Sequence, residues 1–260
     1  MKTHLRVVGD IVRKTGDSSS LKVECEKTAR AQELGEESGL FLTPKVIRFD
    51  AGDGEFEMVR LSGLRSLDQL LDDSDPRLPS AIGKAGCALA AVHAGLRLPA
   101  DLRRELPGDW NTSRVPTAFL HGDFTLANVF LQEPTERLVI LDWAAAPILE
   151  DPVTVGPVWF DIHWFLYYLY QSMPLRPGQR ARAAELAEVF CEGYLSRDEI
   201  GVTARVMEAE RTRINPFLQA LVFKRMRARP WHKKGPFLLK QLLAYSRWRR
   251  FRTSARLKRS

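Results

Sequence analysis

The sequence predicts an α+β chain in two lobes, a small β-rich lobe followed by a larger, mainly helical one. Three observations predict it. Up to residue 72, short β-rich runs surround a single helical stretch. From residue 73 onward, long stretches carry apolar residues at helical spacing. Between the two lies an acidic, proline-bearing link, "LDDSDPRLP". The expected division is 1–72, 73–235 and a basic C-terminal segment, 236–260. A chain of 260 residues is long enough for two lobes around a cleft.

The elements follow in order. "THLRVVGDIVRKTG" holds two β-rich runs joined by Gly9-Asp10, a hairpin signal. "DSSSLKVECEKTARAQELGEESG" predicts a helix with N-caps among Asp17 to Ser20 and a stop at Gly35 or Gly39. "TPKVIRFDAGDGEFEMVRL" predicts two strands with a turn at Ala51 to Gly54. A short helix, Ser66 to Leu71, leads into the link. "PSAIGKAGCALAAVHAGL" predicts a helix with Ile82, Leu89 and Val92 on one face. Residues 98–116 are polar and loop-like. Two strand candidates then frame "FLHGDFTLANVFLQ" and "RLVILDWAAAP", and the pattern is helical from Trp159. Further helices are expected in "DEIGVTARVMEAERTR", on an Asp cap, and in "NPFLQALVFKRMRARP", with Asn as cap and Pro at its first position.

Composition narrows the class. The chain is 45% hydrophobic and 27% charged, as in ordinary globular proteins. "MKTHLRVVGD" has no apolar signal region, and "WFDIHWFLYYLY" is too short to span a bilayer. Cys25, Cys87 and Cys191 stand far apart and make no metal spacing. A reduced, cytoplasmic protein without structural zinc is expected. The net charge of +7 hides an asymmetry: sixteen Lys and Arg and no acidic residue follow Glu210, which leaves the first 210 residues at −9.

The segment "FLHGDFTLANVFLQ" places His121, Gly122, Asp123 and Asn128 between apolar runs. Alone, it reads equally well as a turn between strands. Asp142 changes the balance, because it ends the apolar run "RLVIL" and so brings a second carboxylate to the same loops. Magnesium prefers a few hard oxygen ligands, with water and phosphate completing the shell. Asn128 and Asp142 fit that need. Asp123 fits the separate carboxylate that takes the proton of an attacking hydroxyl. Lys14, on an early strand, suits a grip on ATP phosphates. Glu24 or Glu26 on the following helix would hold it, and Glu26 is the preferred partner.

"HGDFTLAN" followed by "LDW" resembles the aminoglycoside phosphotransferase and choline kinase family. The resemblance implies the two-lobed protein-kinase-like fold, ATP as co-substrate, Mg2+, and transfer of the γ-phosphoryl to a hydroxyl acceptor. It covers roughly Ile11 to Leu166 at the level of motifs. It implies that His121 supports the loop, that Asp161 in "WFDIHWFL" braces the loop backbone, and that Met58 and Arg60 contact the nucleotide. It also departs from the pattern. Only one strand precedes Lys14, and no glycine-rich phosphate loop is visible. The first lobe is minimal, or begins further upstream, or another segment covers the phosphates; "TGDSSS" at a helix start is the candidate anion site. Gly122 stands where protein kinases place Arg, LDW replaces DFG, and no APE-like segment follows. A small molecule or lipid-linked glycan is therefore the expected acceptor, rather than a protein. The alternative is a catalytically weak kinase-like module acting through its basic end.

Single residues also have plainer readings. His93 and His163 read as core histidines, and Trp143 as packing. In "PFLLKQLLAYS" an apolar stripe runs through Leu238, Leu239, Leu242, Leu243 and Tyr245, and it dissolves past Ser246. Residues 246–260 read as a solvated tail or as an anchor on the anionic inner face of a membrane, with Trp248 and Phe251 at the interface. Nucleic acid is a weaker third reading.

Overall fold

A computed structural model gives the structure of the protein. It describes residues 3–106, 116–144, 153–174, 178–197, 199–208 and 230–251, with positions 220 and 227.

The first lobe is a four-stranded antiparallel sheet in the order β1-β2-β4-β3. β1 (His4–Val8) and β2 (Ile11–Thr15) form the hairpin, with Gly9 at φ 58° supplying the left-handed turn position. β3 (Val46–Asp50) and β4 (Glu55–Val59) form the second pair, and β4 lies beside β2. Helix α1 (Ser18–Ser38) covers one face. Asp17 caps its start by accepting from the Ser20 N–H at 2.9 Å, and Gly39, at φ 67°, ends it by donating to Gly35 O. The serines of "TGDSSS" are thus committed to the helix start: Ser19 and Ser20 hydroxyls bond Asp17, and Ser18 bonds Ala51 O. With the Asp17 carboxylate already at that terminus, the segment is not an anion site.

The core of this lobe is small. Leu21, Cys25 and Phe56 form it, with Val46, Phe49 and Met58 packed around them. One turn and more further on, α1 leaves the sheet and puts Ala31 and Leu34 against the main core. Helix α1 therefore belongs to both lobes.

The division falls earlier than the expected residue 72: β5 (Leu64–Ser66) already pairs with β7 (Val129–Gln132), which pairs in turn with β8 (Arg137–Ile140), and Leu67, Leu70 and Leu71 join the main core, so the second lobe starts at β5. β6 (Thr117–Phe119) pairs with β9 (Val155–Pro157). Helix α2 (Leu67–Asp72) begins on Ser66 in a capping box with Gln69. Helices α3 (Leu78–Gly95), α4 (Trp159–Ser172), α5 (Gln179–Leu195) and α6 (Trp231–Arg250) complete the lobe. α3 and α5 cross where glycines leave room. A Cβ on Gly86 would stand 2.2 Å from Phe190 O, and one on Gly193 would stand 2.2 Å from Gly83 O. The backbones touch, so no larger residue fits.

Two readings of the C-terminal helices need correction, and one is not tested. The Val206 N–H bonds the Thr203 hydroxyl, so the helical turn at 204–208 starts there and not at an Asp cap near 198. The segment "NPFLQALVFKRMRARP" lies almost wholly outside the described residues. The order past Ser246 does not dissolve: α6 runs to Arg250, and Trp248 and Phe251 are 1% and 8% exposed. Trp248 packs edge-on against His163 and Tyr167 of α4, and the Tyr167 hydroxyl bonds Gln241 Oε1 at 2.5 Å. These aromatics are core residues, so neither is available to a membrane interface. Residues 252–260 lie outside the described part.

Candidate active site

The loop that carries His121, Gly122, Asp123 and Asn128 runs between β6 and β7. Asp161, fully buried in the first turn of α4, holds its backbone. The His121 N–H donates to Asp161 Oδ2 at 2.7 Å and the Gly122 N–H to Oδ1 at 2.9 Å. His93 Nε2 lies 3.2 Å from the same carboxylate, and its Nδ1 lies 2.8 Å from the Tyr194 hydroxyl. Burial alone would raise the pKa of Asp161; the hydrogen bonds from His93 and the loop outweigh it and keep the carboxyl below its ordinary range. Gly122 adopts φ 91°, a conformation that favours glycine between the two polar residues of the loop.

His121 is buried beneath the loop. Its Nδ1 accepts from the Asp123 N–H at 3.2 Å, which leaves Nε2–H to donate to Leu141 O at 3.2 Å. The ring lies 4.6 Å from that of Trp143 and 5.4 Å from that of Phe124. Burial first, and the Lys27 charge second, push its pKa down to about 4. The imidazole is neutral and fully used, which suits a support and not a base.

Asp123 is oriented by two donors. Trp164 Nε1–H gives a 2.7 Å bond to Oδ1, and Asn128 Nδ2 lies 3.2 Å from Oδ2 and 2.9 Å from the Asp123 carbonyl. With the amide nitrogen committed to Asp123, the Asn128 oxygen is the end left to face a metal. Leu141 N donates to Asn128 O at 3.0 Å, so the strand carrying Asp142 is tied to the loop carrying Asn128. Asp142 itself is left-handed at φ 56°, a rare conformation that concentrates at functional sites. One of its oxygens takes the Lys14 ammonium at 2.8 Å; the side chain is 46% exposed. Two hard oxygen donors with open surroundings fit Mg2+, which keeps most of its shell for water and phosphate. Among the described residues no cluster of three His, Cys, Asp or Glu could hold a metal.

Lys14 comes from β2, where it pairs with Phe56 of β4. It is 6% exposed and bonds both Glu24 and Asp142. Burial works against its charge, but the two carboxylates outweigh burial and raise its pKa above the ordinary lysine value. The partner is Glu24, not Glu26. Glu24 faces inward on α1, whereas Glu26 lies on the outer side in an i,i+4 pair with Arg30 at 3.0 Å. Met58 shares the Lys14 face of the sheet, two positions along β4, and packs against the small core. Arg60 is exposed just past β4. In the acidic link, Asp73 and Asp75 are spent on Arg65 and Arg77, at 2.6 to 2.8 Å. Glu150 and Asp151 lie outside the described residues.

The structure thus gathers Lys14, His121, Asp123, Asn128, Asp142 and Asp161 at one place between the lobes. Sequence reasoning missed Trp164, Lys27 and the role of His93. All three lie in helices whose neighbours are apolar or unremarkably charged, and nothing in their spacing separates them from core or surface.

A sheet-plus-helix lobe above a helical lobe, with a lysine–glutamate pair facing an aspartate-bearing loop, defines a kinase-like fold of the phosphoryl-transfer type. The sequence profile of the phosphotransferase enzyme family matches residues 29–201, more than half of the chain, and the protein belongs to that family. The matched span begins after Lys14 and Glu24. Solved structures share the fold. A choline/ethanolamine kinase family protein from Mesorhizobium loti is 14% identical with a TM-score of 0.57, over 95% of this chain and 88% of that one. A glucosamine kinase in complex with glucosamine, ADP and inorganic phosphate is 13% identical with a TM-score of 0.57, over 94% and 79%. An amicoumacin kinase in complex with AMP-PNP, Ca2+ and Ami is 11% identical with a TM-score of 0.55, over 97% and 90%. No curated protein sequence matches the chain.

Proposed function

We propose that this phosphotransferase moves the γ-phosphoryl of ATP to a hydroxyl of a small molecule such as a sugar, an aminoglycoside or a choline-like alcohol. The observation that carries the proposal is the Asp123 carboxylate, held at one oxygen by Trp164 and at the other by Asn128. A base so oriented accepts the acceptor's proton as the hydroxyl attacks phosphorus. Asn128 and Asp142 would hold Mg2+, which would offset the charge of the phosphates. Lys14 leaves Asp142 for the α and β phosphates as nucleotide enters, and Glu24 keeps it in line. Met58, on the Lys14 face of β4, is taken as a nucleotide contact, whereas Arg60 lies beside Asp10, at the other end of β2 from Lys14. Asp161 keeps the loop rigid, so the geometry does not have to be rebuilt in the transition state.

Support for nucleotide use comes from the ADP and AMP-PNP complexes among the fold's relatives. A freely diffusing acceptor is favoured over a lipid-linked glycan, because Trp248 and Phe251, the side chains expected at a membrane surface, are buried. Dependence on ATP suits a cytoplasmic enzyme.

The test is ATP consumption against a panel of amino sugars, aminoglycosides and choline-type alcohols. Wild type turns over at least one acceptor, and Asp123→Asn lowers kcat by about 10²- to 10⁴-fold. An Asp123→Asn enzyme as active as wild type removes Asp123 as the base.

A further inference from the structure

Lys27 is a buried cation for which the roles above have no use. It stands one turn beyond Glu24 on the inner side of α1, is 0% exposed, and donates from Nζ to His121 O at 2.5 Å. Packing does not call for an ammonium there. A buried unpaired charge is expensive, and an apolar side chain of the same length fills the same space. Its compensation is collective. Burial lowers its pKa to about 8, and the carboxylates of Asp161, Glu24, Asp142 and Asp123 oppose that shift.

The hydrogen bonds of His121 show what that charge holds. Its N–H goes to Asp161 on α4, its carbonyl takes Lys27 from α1, its Nε2–H goes to Leu141 next to Asp142, and its Nδ1 takes the Asp123 N–H. The peptide before the base is gripped from the second lobe on one side and from the first lobe's helix on the other. The same helix carries Glu24, which holds Lys14.

We infer that Lys27 is a positioning residue that locks helix α1 to the catalytic loop, so that the Lys14–Glu24 pair and Asp123 are held as one unit. The geometry stands by itself; the consequence for rate rests on the phosphotransferase reading.

The test combines hydrogen exchange, thermal melting and ATP turnover on wild type, Lys27→Met and Lys27→Gln. In Lys27→Met, amides of residues 119–128 exchange at least tenfold faster and helix α3 keeps its protection. The Tm falls in Lys27→Met, because His121 O loses its donor and the buried carboxylates lose the cation they share, and it falls less in Lys27→Gln. The kcat of Lys27→Met falls at least tenfold while KM for ATP stays within threefold. Lys27→Gln, which keeps a donor for His121 O, lies between. Loop exchange within threefold of wild type in Lys27→Met overturns the inference. So does a loosened loop with unchanged turnover, or faster exchange spread over α3 in both variants. Wild type that consumes no ATP with any acceptor overturns the reaction reading instead, and the exchange result alone then decides for or against Lys27.

Discussion

Trp164 bonds one oxygen of Asp123, and that single indole N–H illustrates how much of the chemistry rests on individual donors. A hydrogen bond to a charged acceptor contributes about 1.5–3 kcal/mol. Trp164→Phe keeps the aromatic packing and removes the donor, so kcat falls about tenfold or more while KM for ATP is unchanged; steady-state kinetics check it. The two glutamates give a sharper contrast. Glu24→Gln lowers kcat/KM for ATP about tenfold or more, because it strips the buried partner of Lys14. Glu26→Gln changes both parameters less than twofold, since its pair with Arg30 is on the surface. His121 adds a pH dependence. An unfolded imidazole binds its proton near pH 6.5, whereas the buried one resists until about 4. The unfolded state therefore holds more protons in that window, and stability is lost as pH falls from 6.5 to 4, by up to ~3 kcal/mol. Denaturant unfolding at pH 7 and pH 4.5 measures it.

At the residue scale, His121, Asp123 and Asn128 alone read equally well as a turn, and they became legible as a candidate site only with Asp142 at the end of the next apolar run. Trp164 was not legible: within "WFDIHWFLYYLY" a tryptophan that serves a carboxylate looks like any other buried ring. The choice between Glu24 and Glu26 was not legible either. The phase of α1 is set by its contacts with the sheet at Leu21 and Cys25, and a residue two positions on falls on the other side of the helix.

At the scale of elements, the close crossing of α3 and α5 fixes the second lobe. Gly86→Ala or Gly193→Ala drives a Cβ into a backbone oxygen, so the helices must separate, at a cost of about 1–3 kcal/mol or more. Chemical denaturation of the two variants checks it, and Gly9→Ala, with open space around it, serves as the control for strain without collision. Elements with a strong period, such as α1 and α3, could be read in advance. β5 and β9 could not, because strands of three residues are defined by their partners, β7 and β6, and not by any local pattern. The end of α6 was obscured for a related reason. Arg247, Arg249 and Arg250 surround Trp248, and only the α4 face it meets shows that the tryptophan points inward.

At the scale of the molecule, a first lobe of four strands is joined to a helical second lobe through α1, whose two ends belong to different cores. The sequence conveyed the two lobes, because the change from β-rich runs to helical spacing is a property of long segments. It did not convey how tightly they are coupled, because Lys14–Asp142 and Lys27–His121 join residues 128 and 94 positions apart. The central claim is that this small lobe, with Lys14, Glu24 and Asp142, holds Mg-ATP. The most direct measurement is the Tm with and without Mg-ATP, for wild type and Asp142→Asn. Nucleotide at about 100 times its Kd adds roughly 2.7 kcal/mol to the folded state. A magnesium-dependent rise in wild type that disappears in Asp142→Asn is the predicted result. No rise in wild type, or an equal rise in both proteins, contradicts the account.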